Sequence, residues 1–226
     1  MRVCVFDYGA GNLHSLVKAL EGAGAEVAVE ADPRRAAAAD ALVLPGVGAF
    51  AAATERLAPG RAEMRDAVAG GLPTLGICLG MQLLFDASEE GPGQGLGVVP
   101  GMVTRLRAAR VPQIGWNPLD AAADPLLAAS ALGIAYYANS YVCRPADTGV
   151  VTAWSTHEGD RFPAAVRAGR AVGVQFHPEK SSRAGLAFVR AWVEEVQRAG
   201  ASVERADESL DARRSTLDAG RSPEAP

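Results

Sequence analysis

The sequence predicts one α/β domain with a mainly parallel central sheet, helices on both of its faces and a mixed or antiparallel second half. Three observations carry this expectation. The first half alternates short, continuous apolar runs with helical spacings, the rhythm of doubly covered strands and their crossovers. The second half strings apolar runs together with turns between them. One of the buried runs ends in Gly76-Ile77-Cys78-Leu79-Gly80, a tight strand-to-helix connection.

Taken in order, Val3–Phe6 is the first strand, bounded by Asp7. Leu13, Leu16, Val17 and Leu20 follow at helical spacing, with Asn12 placed to cap. Val27–Val29 is a second strand, and Asp32-Pro33 opens a brief helix because proline suits the first turn. Leu42–Leu44 is a third strand, stopped by Pro45-Gly46. Arg61–Val68 reads as a helix, Thr74–Ile77 as a fourth strand and Leu79–Phe85 as a helix. Beyond the glycine-rich loop Gly91–Gly97, strands are expected at Met102–Leu106, Gln113–Leu119, Ala135–Cys143, Val150–Trp154, Ala164–Ala168 and Ala171–Phe176. They should extend the same sheet, with a hairpin turn at Arg167-Ala168-Gly169-Arg170. Ser182–Arg198 closes the domain as an amphipathic helix with Leu186, Val189, Trp192, Val193 and Val196 on one face. The domain is expected over residues 1–199. Residues 200–226 lack aromatics and isoleucine, and such a polar tail is expected to stay disordered. Val203, Leu210 and Leu217 are spaced by sevens there, too few positions for a coiled coil.

Composition narrows the function classes. A chain of 226 residues, 49% hydrophobic and 21% charged, can bury a sizeable core. With 22 Lys+Arg against 26 Asp+Glu the net charge is −4, which lacks the footprint of a general nucleic-acid binder. No run approaches the roughly 18 apolar residues of a membrane span. The start, Met1 to Asp7, reaches an acid too early for a secretory signal. Three cysteines far apart suggest neither a disulfide framework nor a zinc site. The expectation is a cytoplasmic protein without metal or organic cofactor, with Cys4 and Cys143 as inert core residues. Only Lys18 and Lys180 among the 22 basic residues are lysines.

Cys78 is the candidate nucleophile. Flanking glycines let the backbone bend sharply and thrust the central side chain out, and a helix N-terminus favours a thiolate. The N–H of Leu79 would face an oxyanion formed by attack at Cys78. Such a nucleophile needs a base, and the base needs an orienting group. Of the three histidines, His14 sits in the first helix and His157 in a turn. His177 ends an apolar strand in Phe176-His177-Pro178-Glu179, where a stiff proline can hold His177 and Glu179 on one rim. His177 is thus the candidate base and acid, and Glu179 its orienting carboxylate.

Gly-Ile-Cys78-Leu-Gly-Met-Gln82 and Phe-His177-Pro-Glu179 resemble the triad motifs of class I glutamine amidotransferases. Asp7 to Leu13, Pro45 to Phe50, Pro112 to Asn117, Tyr136 to Tyr141 and His177 to Ser181 narrow the resemblance to the glutaminase subunits of imidazole glycerol phosphate synthases. It covers residues 1 to about 198, in the family's order. The resemblance implies hydrolysis of glutamine, docking on a (βα)₈ cyclase as a heterodimer, and passage of ammonia to that partner. The partner would then make imidazole glycerol phosphate and aminoimidazole carboxamide ribotide for histidine biosynthesis. It also implies an oxyanion strand at Gly46-Val47-Gly48, switched by the partner, and glutamine contacts near Gln82, Ser140 and Tyr141. Lys180 fits an interface salt bridge suggested by the family, and Asn12, Gln113, Trp116 and Asn117 are further candidates for the docking face. Gln113 and Asn139 stand where histidines are common in the family. The alternatives are a glutaminase feeding another synthase such as pyridoxal phosphate synthase, a silent regulatory partner of the cyclase, and a cysteine hydrolase acting on peptides.

Overall fold

The computed structural model describes residues 1–9 and 13–219, with side chains as far as residue 201. Parallel pairing builds its centre. Strands β1 (Arg2–Phe6), β2 (Glu26–Glu30), β3 (Ala41–Leu44), β4 (Thr74–Ile77) and β12 (Ala171–Val174) lie in the order β12-β4-β3-β1-β2, all parallel. Every residue of β3, β4 and β12 is buried, so both faces of this sheet are covered. That cover explains why these strands read as continuous apolar runs without alternation. Two further strands, β10 (Val151–His157) and β11 (Asp160–Ala168), extend the sheet antiparallel beyond β12, giving seven strands in all. The turn between β11 and β12 has Gly169 at φ +57°, as a tight hairpin requires.

The crossover helices are short. Helix α1 is His14–Gly22, α2 Pro33–Ala37, α3 Phe50–Leu57, α4 Arg61–Ala69, α5 Leu79–Gln82, α6 Pro125–Ser130 and α7 Ser182–Ala219. Asp32 caps α2, accepting from the Arg34 N–H at 2.9 Å with Pro33 at the first position. The cap expected from Asn12 lies outside the described residues. Helix α3 goes beyond the expectation. Its buried residues Phe50, Ala53, Thr54 and Leu57 do have helical spacing, but alanine and threonine give too little contrast to mark it.

The second half departs from one extended sheet. Strand β6 (Gly101–Arg105) pairs with β9 (Tyr141–Pro145) and with the two-residue β5 (Ala87–Ser88) in a separate sheet. Among the described residues, strand β7 (Gln113–Pro118) pairs with β8 (Ile134–Asn139) alone. The run Ala135–Cys143, expected as one strand, is therefore two. It changes partner at Ser140, whose carbonyl accepts the Leu106 N–H at 2.9 Å. Helix α5 ends at Gln82, and Leu83–Phe85 continue as a buried turn.

One compact unit spans Met1–Val193, and Glu194–Pro226 forms a second. Within the first, α7 buries Phe188, Val189, Trp192 and Val193. Leu186, expected on that face, is 47% exposed. Gly185 takes the inward position, where a Cβ would come within 2.1 Å of the Pro178 carbonyl oxygen. The segment 200–226 was expected to be disordered. Its backbone is helical to Ala219, and its side chains beyond Ala201 and residues 220–226 lie outside the described residues.

The tightest contact at the sheet's centre involves Gly80. A Cβ there would sit 1.9 Å from the Leu44 carbonyl oxygen, which no side-chain adjustment can relieve. Gly80→Ala is expected to cost about 3 kcal/mol or more in urea unfolding. A loss below about 1 kcal/mol would contradict this packing.

Candidate active site

Because β12, β4, β3 and β1 are parallel, their C-terminal ends open on one edge, the usual place for a site in such a sheet. Cys78 leaves β4, Pro45 to Val47 leave β3, Gln175 and His177 follow β12, and Tyr8 follows β1. The Cys78 backbone is held at φ +48°, ψ −104°, and its N–H donates to the Val174 carbonyl at 2.7 Å. The left-handed φ of a non-glycine residue is costly and persists only where neighbours enforce it. Gly76 and Gly80 supply that enforcement. A Cβ on Gly76 would come within 2.6 Å of the Gly80 carbonyl oxygen. The structure thus reproduces the strand–turn–helix connection that the glycine spacing predicts.

His177 sits 2% exposed beside the thiol. Its Nδ1 lies 2.8 Å from Glu179 Oε1, and the Cys78 side chain is near enough to raise its pKa. Its main chain is fixed as well. The N–H donates to the Tyr136 carbonyl at 2.8 Å, and the Ser181 hydroxyl donates to its carbonyl at 2.7 Å. Burial by itself would push the imidazole pKa down. The hydrogen bonds to Cys78 and Glu179, and then their negative charge, outweigh burial and raise it from 6.5 to about 9. The Nδ1 contact to a carboxylate leaves Nε2 for the sulfur. Glu179 keeps its second oxygen, Oε2, buried without a hydrogen-bond partner among the described residues.

The expected helix dipole contributes little, because α5 is only four residues long. The sulfur is served locally instead. Gln175 is fully buried, and its Nε2 donates to Cys78 Sγ at 3.5 Å. Neither Gln175 nor Tyr8 was singled out from the sequence. The available signal for Gln175 was one polar residue within the apolar run Ala171–Phe176. Tyr8, 3% exposed, donates its hydroxyl to the Pro45 carbonyl.

The remaining expected residues divide. Leu79 opens α5, so its N–H has no partner within that helix. Gly46 packs on both reactive groups, since a Cβ there would lie 2.8 Å from His177 Cε1 and 3.1 Å from Cys78 Cβ. Val47 is half-buried and Gly48 exposed at φ +110°. Gln82 is buried, and its Nε2 donates to the Tyr141 carbonyl at 3.2 Å; the Asn139 amide donates to that same carbonyl at 3.1 Å. Ser140 and Tyr141 are half-buried.

On the expected docking face, Trp116 is 51% exposed and Lys180 is exposed, whereas Asn12 lies outside the described residues. Gln113 does not belong to an outward face. It points inward at 3% exposure, because alternation along β7 sends it to the side opposite Ile114. Asn117 is half-buried, and its amide stitches β7 to β10 through Ser155 Oγ at 3.0 Å and the Thr156 carbonyl at 2.9 Å. Gln113 and Asn139, the two departures from the family pattern, are cross-strand partners in the β7–β8 register and are both buried. Their two changes therefore meet at one place.

His14 is exposed on α1, and His157 Nε2 lies 3.1 Å from the Arg110 carbonyl at the end of β10. Cys4 and Cys143 are buried free thiols; burial pushes Cys4 up to about 11 and Cys143 well above its ordinary range. Among the described residues, no three His, Cys, Asp or Glu side chains converge in a metal-holding group.

Residues 4–195 match the family described as glutamine amidotransferase class-I. The imidazole glycerol phosphate synthase subunit HisH of Leifsonia xyli subsp. xyli is 47% identical over 204 residues, covering 84% of this chain and 97% of its own. The HisH subunit of Halobacterium salinarum is 44% identical over 85% of this chain and 92% of its own. The crystal structure of a glutamine amidotransferase aligns with a TM-score of 0.64 at 25% identity, over 84% of this chain and 98% of that one. The structure of PurLQS from Thermotoga maritima aligns with a TM-score of 0.62 at 20% identity, over 88% and 98%, and shares the fold.

The raised imidazole has a consequence for stability. A pKa of about 9 in the folded state against an ordinary 6.5 means that the contribution is complete below about 6.5. It is lost as the pH climbs through about 9. Relative to His177→Gln, the wild-type chain should lose urea stability across that window. Glu179→Gln should move the imidazole titration, followed by NMR, to lower pH, since it removes a raising partner and keeps the burial. An unchanged titration would show that Glu179 does not hold the imidazolium.

Proposed function

The chain belongs to the glutamine amidotransferase class-I family and, within it, to the HisH subunits of imidazole glycerol phosphate synthase, and from that premise we propose how its residues divide the work. It is a glutamine amidotransferase subunit acting in histidine biosynthesis. The observation that carries the residue assignment is the contact chain Cys78–His177–Glu179, with Nδ1 at 2.8 Å from the carboxylate.

Cys78, as thiolate, attacks the side-chain amide carbon of glutamine and forms the C–S bond. The negative charge moves to the amide oxygen, which the Leu79 N–H and an amide of the Gly46-Val47-Gly48 segment receive. As the C–N bond breaks, the His177 imidazolium gives its proton to the departing nitrogen, which leaves as ammonia. Water then adds to the glutamyl thioester with His177 as base. Glutamate departs and the thiolate is regenerated. Glu179 fixes the tautomer throughout. Gln82, Ser140 and Tyr141 contribute to the pocket that holds the amino-acid end of glutamine. These steps involve no cofactor.

The partner in this reading is a (βα)₈ cyclase subunit, joined as a heterodimer and supplied with ammonia. An exposed face supports this. Ile114, Trp116 and Ile134 are 67%, 51% and 51% exposed. The β7–β8 register sets Trp116 opposite Tyr136 and Pro118 opposite Ile134, with the two rings edge to face at 6.1 Å. Such an apolar, tryptophan-centred patch is what interfaces use. Lys180 stands on the 3₁₀ turn Pro178–Lys180, which contacts β8, and offers a charge at the rim. The face is also wired to the chemistry, because Tyr136 carries the carbonyl that accepts the His177 N–H. No helix among the described residues is long and apolar enough to cross a membrane.

The test is glutamate release by the purified chain, alone and with a candidate cyclase carrying its nucleotide ligand. Activation by the loaded cyclase, abolished in Cys78→Ala, is expected. Turnover that ignores the cyclase would assign the ammonia to another synthase. Trp116→Ala should weaken cyclase binding by about 2 kcal/mol, some thirtyfold in Kd by titration calorimetry. An unchanged Kd would remove the β7–β8 face from the interface.

A further inference from the structure

Cys78 must react as an anion, and its own helix does little to hold one. Helix α5 has four residues, and the Cys78 N–H is spent on the Val174 carbonyl at 2.7 Å. The hydrogen bond to the sulfur comes from Gln175, whose Nε2 donates to Sγ at 3.5 Å. Gln175 is fixed where it stands. It follows β12 directly, its N–H donates to the Ala164 carbonyl of β11 at 2.9 Å, and it is fully buried. The residue before it, Val174, carries the carbonyl that accepts the Cys78 N–H, so nucleophile and amide are tied to one strand end. The other end of the carboxamide is unmet: Oε1 is buried without a hydrogen-bond partner among the described residues. Burying an amide with one end unmet is unfavourable. A side chain kept for packing would be apolar here, as Val174 and Phe176 on either side are. Among the described residues, the sulfur is the one polar group that the Gln175 side chain meets.

We propose that Gln175 is a further catalytic residue of the glutaminase reaction: its Nε2–H group holds the sulfur of Cys78 as a thiolate. An N–H donor binds an anionic sulfur more strongly than a neutral thiol or a thioester, because hydrogen bonds to charged groups are the stronger class. The amide therefore acts twice. Before attack it raises the share of Cys78 present as thiolate. After ammonia has left, it favours hydrolysis of the glutamyl thioester, in which the C–S bond breaks and its electron pair returns to sulfur. Gln175 gives up no proton at either step; proton transfer stays with His177. A neutral donor suits this place. A cation would also hold the thiolate, but like-charge repulsion would push the neighbouring imidazole pKa down. The inference deepens the glutaminase reading above and rests on it.

The experiment compares the wild-type chain with Gln175→Met, which keeps the length of the side chain and removes both polar ends. Cys78 is alkylated with iodoacetamide across a range of pH without partner, and turnover is measured with the loaded cyclase. In Gln175→Met the midpoint of alkylation against pH is expected to move up by about one pH unit or more, the share of one hydrogen bond to a charged group. By the same measure kcat with the loaded cyclase should fall about tenfold or more, with KM for glutamine little changed. Urea stability should be unchanged or higher, because the unmet buried oxygen is gone. A merely structural Gln175 gives the opposite pattern, lower stability with an unchanged alkylation midpoint, and that result overturns the proposal. If Gln175→Met does not fold, the wild-type chain decides by NMR. The Gln175 Nε2 proton resonances should titrate at the alkylation midpoint, and resonances that stay flat through that pH overturn the proposal. Absence of glutamate from the wild-type chain with the loaded cyclase would sink the glutaminase reading instead. The alkylation and NMR results need no glutamine and would still report whether Gln175 holds the thiolate.

Discussion

The close approach of Gly80 to the Leu44 carbonyl governs the rest of this molecule. It brings the turn after β4 down onto the end of β3, which no residue with a Cβ could allow. Gly76 under the same turn leaves equally little room. Between them Cys78 is forced to a left-handed backbone and its side chain is lifted out of the sheet. The same contact sets Gly46 against the thiol and the imidazole. Steric exclusion at two glycines thus sets Cys78 beside the segment that leaves β3.

The chemistry is set by how burial is compensated. An isolated buried imidazole would be held neutral. Here the Glu179 carboxylate on one ring nitrogen and the neighbouring Cys78 side chain reverse that and raise the imidazole to about 9. The backbone does comparable work. Tyr136 and Ser181 fix the main chain of His177 on both sides, so its ring position follows from β8 as well as from β12. Strand β8 and His177 are thus joined directly through the backbone.

Much of this was legible in the chain. Doubly covered parallel strands must be continuously apolar, so β1, β3, β4 and β12 stood out. A strand, two glycines around a cysteine and a helix define a local geometry whatever surrounds them, so Cys78 stood out too. His177 and Glu179 are two residues apart around a proline, close enough to be joined by local stereochemistry. What sequence settled was therefore what short-range sterics and burial periodicity settle: the α/β class and the central apolar strands, with Cys78, His177 and Glu179 marked as candidates.

Tertiary structure decided the matters that depend on long-range pairing. Periodicity cannot say which strand a strand will meet, so the switch of partner at Ser140 and the separate β5-β6-β9 and β7–β8 sheets appear only in the fold. The inward turn of Gln113, its register with Asn139 and the use of Asn117 as a stitch to β10 follow from that switch. Tyr8 and Gln175 gained their places at the site because strands distant in sequence end on one edge. Their partners, Pro45 and Cys78, lie 37 and 97 residues away. No local pattern encodes a hydrogen bond across such a separation; only the packed sheet brings its two ends together.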